Sequence, residues 1–290
     1  MFGHDIITIL IAFLAAANCG LLGSFVMLRK KAMLGDAIAH AIAPGIVIMF
    51  LLTKSMHPLF FGLGALLSGL GVTLLIGFLN KRIGVTSGAA IELGAAFFFA
   101  LGILLISIYA KSVDLDPSCV WNSSLETASL DVVKWGGFDI PRAFLLLSML
   151  LLLNTLFIYF GYRALFFIAF DASFAKSMGI SVQRWDRAFM LLVAFNIVIC
   201  FRIINAPLVV GFLTMPPAIA WLVTDSLPML LGHTFVVSAL LAMNGYWAAK
   251  VTGLSLTGMM MVVGGLLFLG LSLLVRYQES TAASQRKKSA

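Results

Sequence analysis

In the run Leu34-Gly35-Asp36-Ala37-Ile38-Ala39-His40-Ala41-Ile42-Ala43-Pro44-Gly45 a carboxylate and an imidazole stand four residues apart among small and aliphatic neighbours. On a helix that spacing puts Asp36 and His40 on one face, about 5–6 Å apart at their Cβ atoms. A small cation could touch the oxygen of one and the nitrogen of the other. Three kinds of chemistry fit the pair: transient ligation of a metal ion, relay of a proton, or a hydrogen bond that merely fixes helix packing. Ionisable groups within hydrocarbon are costly and normally face a bundle interior or a water-filled path, which favours a functional role. Pro44 cannot donate to the carbonyl of His40, so the helix is expected to bend or open there and to offer that carbonyl as a third ligand.

The surroundings of the pair follow from composition. Of 290 residues 61% are apolar and 11% charged, and the mean hydropathy is +1.07. Soluble domains are roughly one-quarter charged, so the fold class is all-α, a polytopic membrane helical bundle. Crossing about 30 Å of hydrocarbon takes roughly 17–25 helical residues. Nine apolar runs qualify, at about 5–28, 33–53, 58–79, 88–109, 142–163, 187–204, 206–224, 229–249 and 255–275. The sixth and seventh are separated only by Asn205 and Pro207, which makes eight spans the alternative count. The first run lacks a basic leader and a small-residue cleavage site, and is expected to be a retained span. Residues 1–275 thus form one transmembrane domain, and the basic tail 276–290 is expected to be cytoplasmic and disordered.

The net charge of +7 does not indicate a nucleic-acid partner, because the basic residues lie in short clusters between apolar runs. With the N-terminus outside, thirteen Lys and Arg fall on the inner side, including Arg29, Lys30, Lys31, Lys81, Arg82 and Arg187. Five fall outside, namely Lys54, Lys111, Lys134, Arg142 and Lys250. The reverse orientation would invert the positive-inside bias. Arg202, near the outer end of the sixth span, is expected to snorkel to the interface. Cys19, Cys119 and Cys200 form no CxxC pair, so neither a redox motif nor a thiolate cage is indicated. Cys119 is expected to face solvent within the acidic outer loop 110–140, which leaves room for a short amphipathic helix.

Small residues mark the packing faces: Ala12, Ala16, Gly20 and Ser24 in the first span, then Ala37, Ala41 and Gly45 beside the Asp36, His40, Pro44 stripe. Glu92, in the first turns of the fourth span, suits the helix macrodipole and is a weaker candidate for the ion path. Pro216 and Pro217 in mid-span are expected to break the seventh helix where a cavity or neighbouring protein satisfies the backbone. His233 is expected to be a packed histidine.

On the inner side, residues 171–182 read as a short helix, with Asp171 as N-cap and Gly179 as C-cap. Phe174, Ala175 and Met178 are expected to share one face, a knob for a groove in another protein.

Three stretches together resemble the permease subunits of the ABC-3 family, the membrane part of bacterial ABC importers for zinc, manganese and iron. The first is Leu22-Gly23-Ser24-Phe25-Val26, the cluster Arg29-Lys30-Lys31, then Gly35-Asp36, His40-Ala41 and Pro44-Gly45. The second is Asp171, Phe174-Ala175 and Gly179-Ile180, where the family has a coupling helix seated in the ATPase subunit. The third is Met215-Pro216-Pro217-Ala218 with Ala220, similar to the family's Pro-Ala-Ala-x-Ala pattern. The resemblance implies that Asp36 and His40 contact the ion, that residues 171–182 couple to an ABC ATPase subunit, and that a second permease chain, identical or an unlike paralogue, completes the pathway. It also implies an external metal-binding protein, a location in the bacterial plasma (inner) membrane among its lipids, and no permanently bound cofactor. Two departures stand out: Pro217 replaces the usual Ala, and Asn205-Ala206-Pro207 replaces a Val-Gly-Ala type sequence. Both suit one member of an unlike pair.

Because no GxxxxGK[ST] phosphate loop occurs, ATP hydrolysis would belong to the partner and the chain itself is no enzyme. The competing readings are a proton-coupled secondary metal transporter, a permease for a metal chelate or cobalamin-type ligand, and an intramembrane metallohydrolase. The first leaves residues 171–180 unexplained, the second has no need of a small-ion pair, and the third lacks HExxH.

Overall fold

The computed structural model describes residues 2–54, 57–109, 125–135, 138–224 and 226–289. Each of the nine apolar runs forms one helix: α1 (Phe2–Leu28), α2 (Leu34–Thr53), α3 (Pro58–Phe78), α4 (Ser87–Tyr109), α6 (Arg142–Phe170), α8 (Val182–Ile203), α9 (Ala206–Trp221), α10 (Leu227–Thr252) and α11 (Leu256–Ser289). Among the described residues, shorter helical pieces lie between them: the π-helical turn Leu79–Ile83, α5 (Leu125–Ala128) and α7 (Ala172–Ser177). Among the described residues, seven helices are long and apolar enough to cross a membrane by themselves. The other two are α8, which carries Arg184, Asp186 and Arg187 in its first turns, and α9, whose 16 residues reach only about 24 Å.

Side-chain pairs at the helix ends agree with a chain that crosses back and forth. At one end Asp5 accepts from Tyr246 (2.5 Å) and from Lys250, tying α1 to α10. At the other, Asp186 at the start of α8 meets Arg29 (3.2 Å) and Lys31 (3.4 Å), which follow α1. The Arg29 guanidinium also lies 4.4 Å from the Phe189 ring centre. Burial pushes Arg29 below its ordinary pKa, and the carboxylate of Asp186 opposes that shift.

The core centres on α1, where Ile11, Ala12, Ala15, Ala16, Cys19 and Leu22 are fully buried. Helices α6, α9 and α10 pack around it, while α3 and α4 flank α2 and α8 packs on α3. Glycine makes the closest approaches: a Cβ placed on Gly23 would sit 1.9 Å from the Leu213 carbonyl oxygen of α9. That oxygen has lost its helical donor because residue 217 is proline, and the bare Cα of Gly23 fills the space a hydrogen bond would occupy. Accordingly α9 runs through Pro216 and Pro217 without interruption, and α2 likewise through Pro44. The expected breaks at these three prolines are corrected: both helices stay continuous.

α11 is described as far as Ser289; after Gly270 the sequence contains neither Gly nor Pro and is rich in helix formers. The expectation of a packed His233 is corrected. His233 is exposed on α10, with Nδ1 2.7 Å from the Met229 carbonyl. In the outer loop, β1 (Val132–Trp135) and β2 (Phe138–Pro141) pair antiparallel, Val132 opposite Pro141. Cys119 and most of that loop lie outside the described residues.

Candidate functional site

Asp36 occupies the first turn of α2, where free backbone N–H groups favour a carboxylate, and His40 follows one turn later. His40 Nε2 and Asp36 Oδ1 are 3.6 Å apart, beyond a hydrogen bond but within ion-pair range. The two side chains are 46% and 56% exposed, whereas Ala37, Ile38, Ala41 and Ile42 between and beside them are buried. Most of α2 is packed into the bundle, and Asp36 and His40 look outward from the chain, as do Ile48 and Leu52 nearer its other end. The imidazole lies edge-on to the ring of Phe99 of α4, centroids 5.1 Å apart at 72°, which limits its rotation.

A cation about 2.1 Å from both atoms would see them at an angle of about 120°, close to what a tetrahedral ion accepts. Two ligands do not close such a site. Among the described residues no group of three or more His, Cys, Asp or Glu is placed to hold a metal. Pro44 is buried, its ring 3.0 Å from a Cβ placed on Gly102. Glu92 is not brought to the pair. α4 runs parallel to α2, with Phe99 beside His40 and Gly102 beside Pro44. Seven residues before Phe99, Glu92 therefore lies roughly 10 Å nearer the end of the bundle where α2 and α4 begin.

The short helix α7 forms as its caps dictate. Asp171 Oδ1 accepts from the backbone N–H of Ser173 (2.8 Å) and Phe174 (3.0 Å). Gly179 adopts φ +77°, and the N–H of Ile180 closes the helix end on the Ala175 carbonyl. Phe174 and Met178, one turn apart, are 48% and 49% exposed. Ala175 is fully buried, which corrects the expectation that it shares their face: residue 175 lies about 100° around the helix from residue 174. The exposed knob is Phe174 with Met178.

Sequence reasoning missed a buried polar cluster on α1, α6 and α8. Asn154 donates to Asn18 and Asn196 (both 2.8 Å), and Cys19 and Cys200 lie beside them with 3.7 Å between sulfurs. Three asparagines in mid-span were the available signal, since each is costly in hydrocarbon unless paired.

The sequence profile described as the ABC 3 transport family matches residues 6–275. The manganese transport system membrane protein MntD of Bacillus subtilis is 34% identical over 256 residues, 88% of this chain and 86% of that relative. The zinc transport system membrane protein TroD of Treponema pallidum is 31% identical over 265 residues, 90% of this chain and 71% of that relative. Among solved structures, PsaBC from Streptococcus pneumoniae in complex with Fab superposes with a TM-score of 0.71 at 22% identity, covering 93% of this chain and 95% of that one. That likeness concerns the fold. The profile match over nearly the whole chain, with relatives above 30% identity, establishes that this multi-pass membrane protein belongs to the ABC 3 transport family.

Proposed function

We propose that the chain is the permease subunit of an ATP-driven importer of divalent transition-metal ions, forming half of the translocation pathway and coupled to a separate ATPase subunit. The observation that carries this reading is the outward-looking Asp36–His40 pair, two potential ligands one turn apart on a helix most of which packs into its own bundle. A second permease chain, identical or an unlike paralogue, would bring an equivalent pair, giving two oxygen and two nitrogen ligands. Such a set suits Zn²⁺ and accepts Mn²⁺ or Fe²⁺. The names of MntD and TroD, one for manganese and one for zinc, are consistent with that range.

In this reading an external binding protein delivers the ion to the outer mouth. The carboxylate and imidazole replace part of its hydration shell, and ATP binding and hydrolysis in the partner move the α7 knob so that the pathway opens inward. Reconstitution with the ATPase in vesicles tests it. ATP-dependent uptake of Mn²⁺ or Zn²⁺ is expected, and uptake that proceeds equally without ATP overturns the importer reading in favour of a secondary transporter.

The docking role has its own test. Phe174→Asp puts a charge into the proposed apolar contact, so co-purification of the ATPase should fall about tenfold or more, as when an apolar anchor is lost. The melting temperature of the membrane domain should be unchanged, because Phe174 is half exposed and, among the described residues, makes a ring contact only with Phe167, centroids 5.6 Å apart. An intact complex would remove the docking role.

A further inference from the structure

A cavity of about 560 Å³ opens at the end of the bundle that carries the basic loops. The starts of α2, α4 and α8, the end of α3 and the turn Leu79–Ile83 surround it. Its lining is divided by chemistry. Lys31, Arg82 and Arg187 are cationic, and Asp186 is the one acid among the lining residues. Asp186 is already shared by Arg29 and Lys31, so the positive surplus lies with Arg82 and Arg187. The floor is apolar and buried, formed by Leu34, Ile91 and Met190. On one side the lining continues into Leu74 and Phe78 of α3, which are 58% and 50% exposed on the flank of an apolar span.

A cavity with guanidinium groups at headgroup level and a greasy flank below is complementary to an amphiphile with an anionic head. We propose that it binds one anionic phospholipid of the inner leaflet, its phosphate held by Arg82 and Arg187 and its acyl chains running past Leu74 and Phe78. Guanidinium matches phosphate geometry with paired donors, and basic pockets between helices on the cytoplasmic side are suited to such headgroups. The site is separate from Asp36 and His40, neither of which lines the cavity. The inference rests on the positive-inside orientation and not on metal transport. Gln183 and Arg187 also line a groove along α7, so the bound lipid would stand against the wall of the proposed docking element.

Native mass spectrometry of the full chain released from vesicles with equal phosphatidylglycerol and phosphatidylcholine tests the site. One phosphatidylglycerol per chain is expected, favoured about tenfold over phosphatidylcholine, the equivalent of one charge-assisted contact. Two variants should abolish the preference by different routes. Arg82→Gln with Arg187→Gln removes the charges, and Arg82→Lys with Arg187→Lys should restore part of the binding. Gly77→Leu keeps every charge and fills the cavity; Gly77 lines it, and a Cβ there meets no atom within 4 Å. Unchanged melting temperatures show that the variants are folded, and Arg276→Gln on the same side of the membrane should retain lipid like the parent. Equal retention of the two lipids, or undiminished preference in both variants, overturns the proposal. Displacement of the lipid by millimolar inorganic phosphate would assign the cavity to a soluble anion and overturn it as well.

Discussion

Asp36→Ala and His40→Ala are each expected to lower ATP-dependent uptake of Mn²⁺ or Zn²⁺ by about a hundredfold or more while leaving the melting temperature of the protein nearly unchanged. Both halves of the expectation come from the same geometry. The side chains are about half exposed and 3.6 Å apart, and exposed ion pairs contribute about 0–1 kcal/mol to stability. Their removal leaves the buried face of α2 untouched. For the ion the loss is expected to be larger: in the proposed pathway each permease offers two ligands, and in a homodimer the substitution removes one from each. Disturbing a group that merely orients a metal ligand costs 10–100-fold in affinity or activity, and deleting the ligand itself should cost at least as much. His40→Gln should recover less than a tenth of parental uptake, since an amide offers a weaker donor to a transition metal than imidazole. Uptake and thermal unfolding measured on the same preparations separate the outcomes. Normal uptake by either alanine variant would return the pair to a packing role, and a large fall in melting temperature would make it structural.

What was legible in the sequence was what local patterns decide. Nine apolar runs gave nine helices because seven are long and nearly free of charge while α8 and α9 are apolar over most of their length, and Asn205 with Pro207 marked the turn between those two. The caps of α7 were legible because Asp171 and Gly179 act within a few residues of themselves. The Asp36–His40 pair was legible for the same reason, being one helical turn. What depended on a neighbouring helix was not. Pro217 breaks nothing because Gly23, almost two hundred residues earlier, lies against the carbonyl it frees. Ala175 turns inward although its neighbours in sequence turn outward. Asn18, Asn154 and Asn196 find most of their partners only because three separate helices bring them together. The membrane removes the usual guide to which face is buried, since both lipid and core are apolar, so small residues and stranded polar groups become the better indicators.

Gly45→Val is expected to be the most destabilising single substitution on the helix that carries the pair. A Cβ on Gly45 would lie 2.1 Å from the carbonyl oxygen of Gly64 and 2.6 Å from the Cβ of Ser68, and a Cβ on Gly64 would lie 2.3 Å from the carbonyl oxygen of Gly45. The contact is reciprocal and is made of backbone, so no rotamer change relieves it; α2 and α3 must separate. Separation would also strain the buried hydrogen bond from Ser68 to the Ala41 carbonyl, one turn along the same seam. Overpacking a core typically costs about 1–3 kcal/mol where side chains can adjust, and here the upper end or beyond is expected. Gly62→Ala provides the contrast, because it lies in the same helix two residues from Gly64 and a Cβ there meets nothing within 4 Å. Its gain in helix propensity, up to about 1 kcal/mol, should leave the protein as stable as the parent or slightly more so. Thermal unfolding of the purified variants reads the difference. If the two substitutions melt alike, α2 and α3 do not cross through bare backbone, and the rigid seat that this crossing gives to Asp36 and His40 is lost with it.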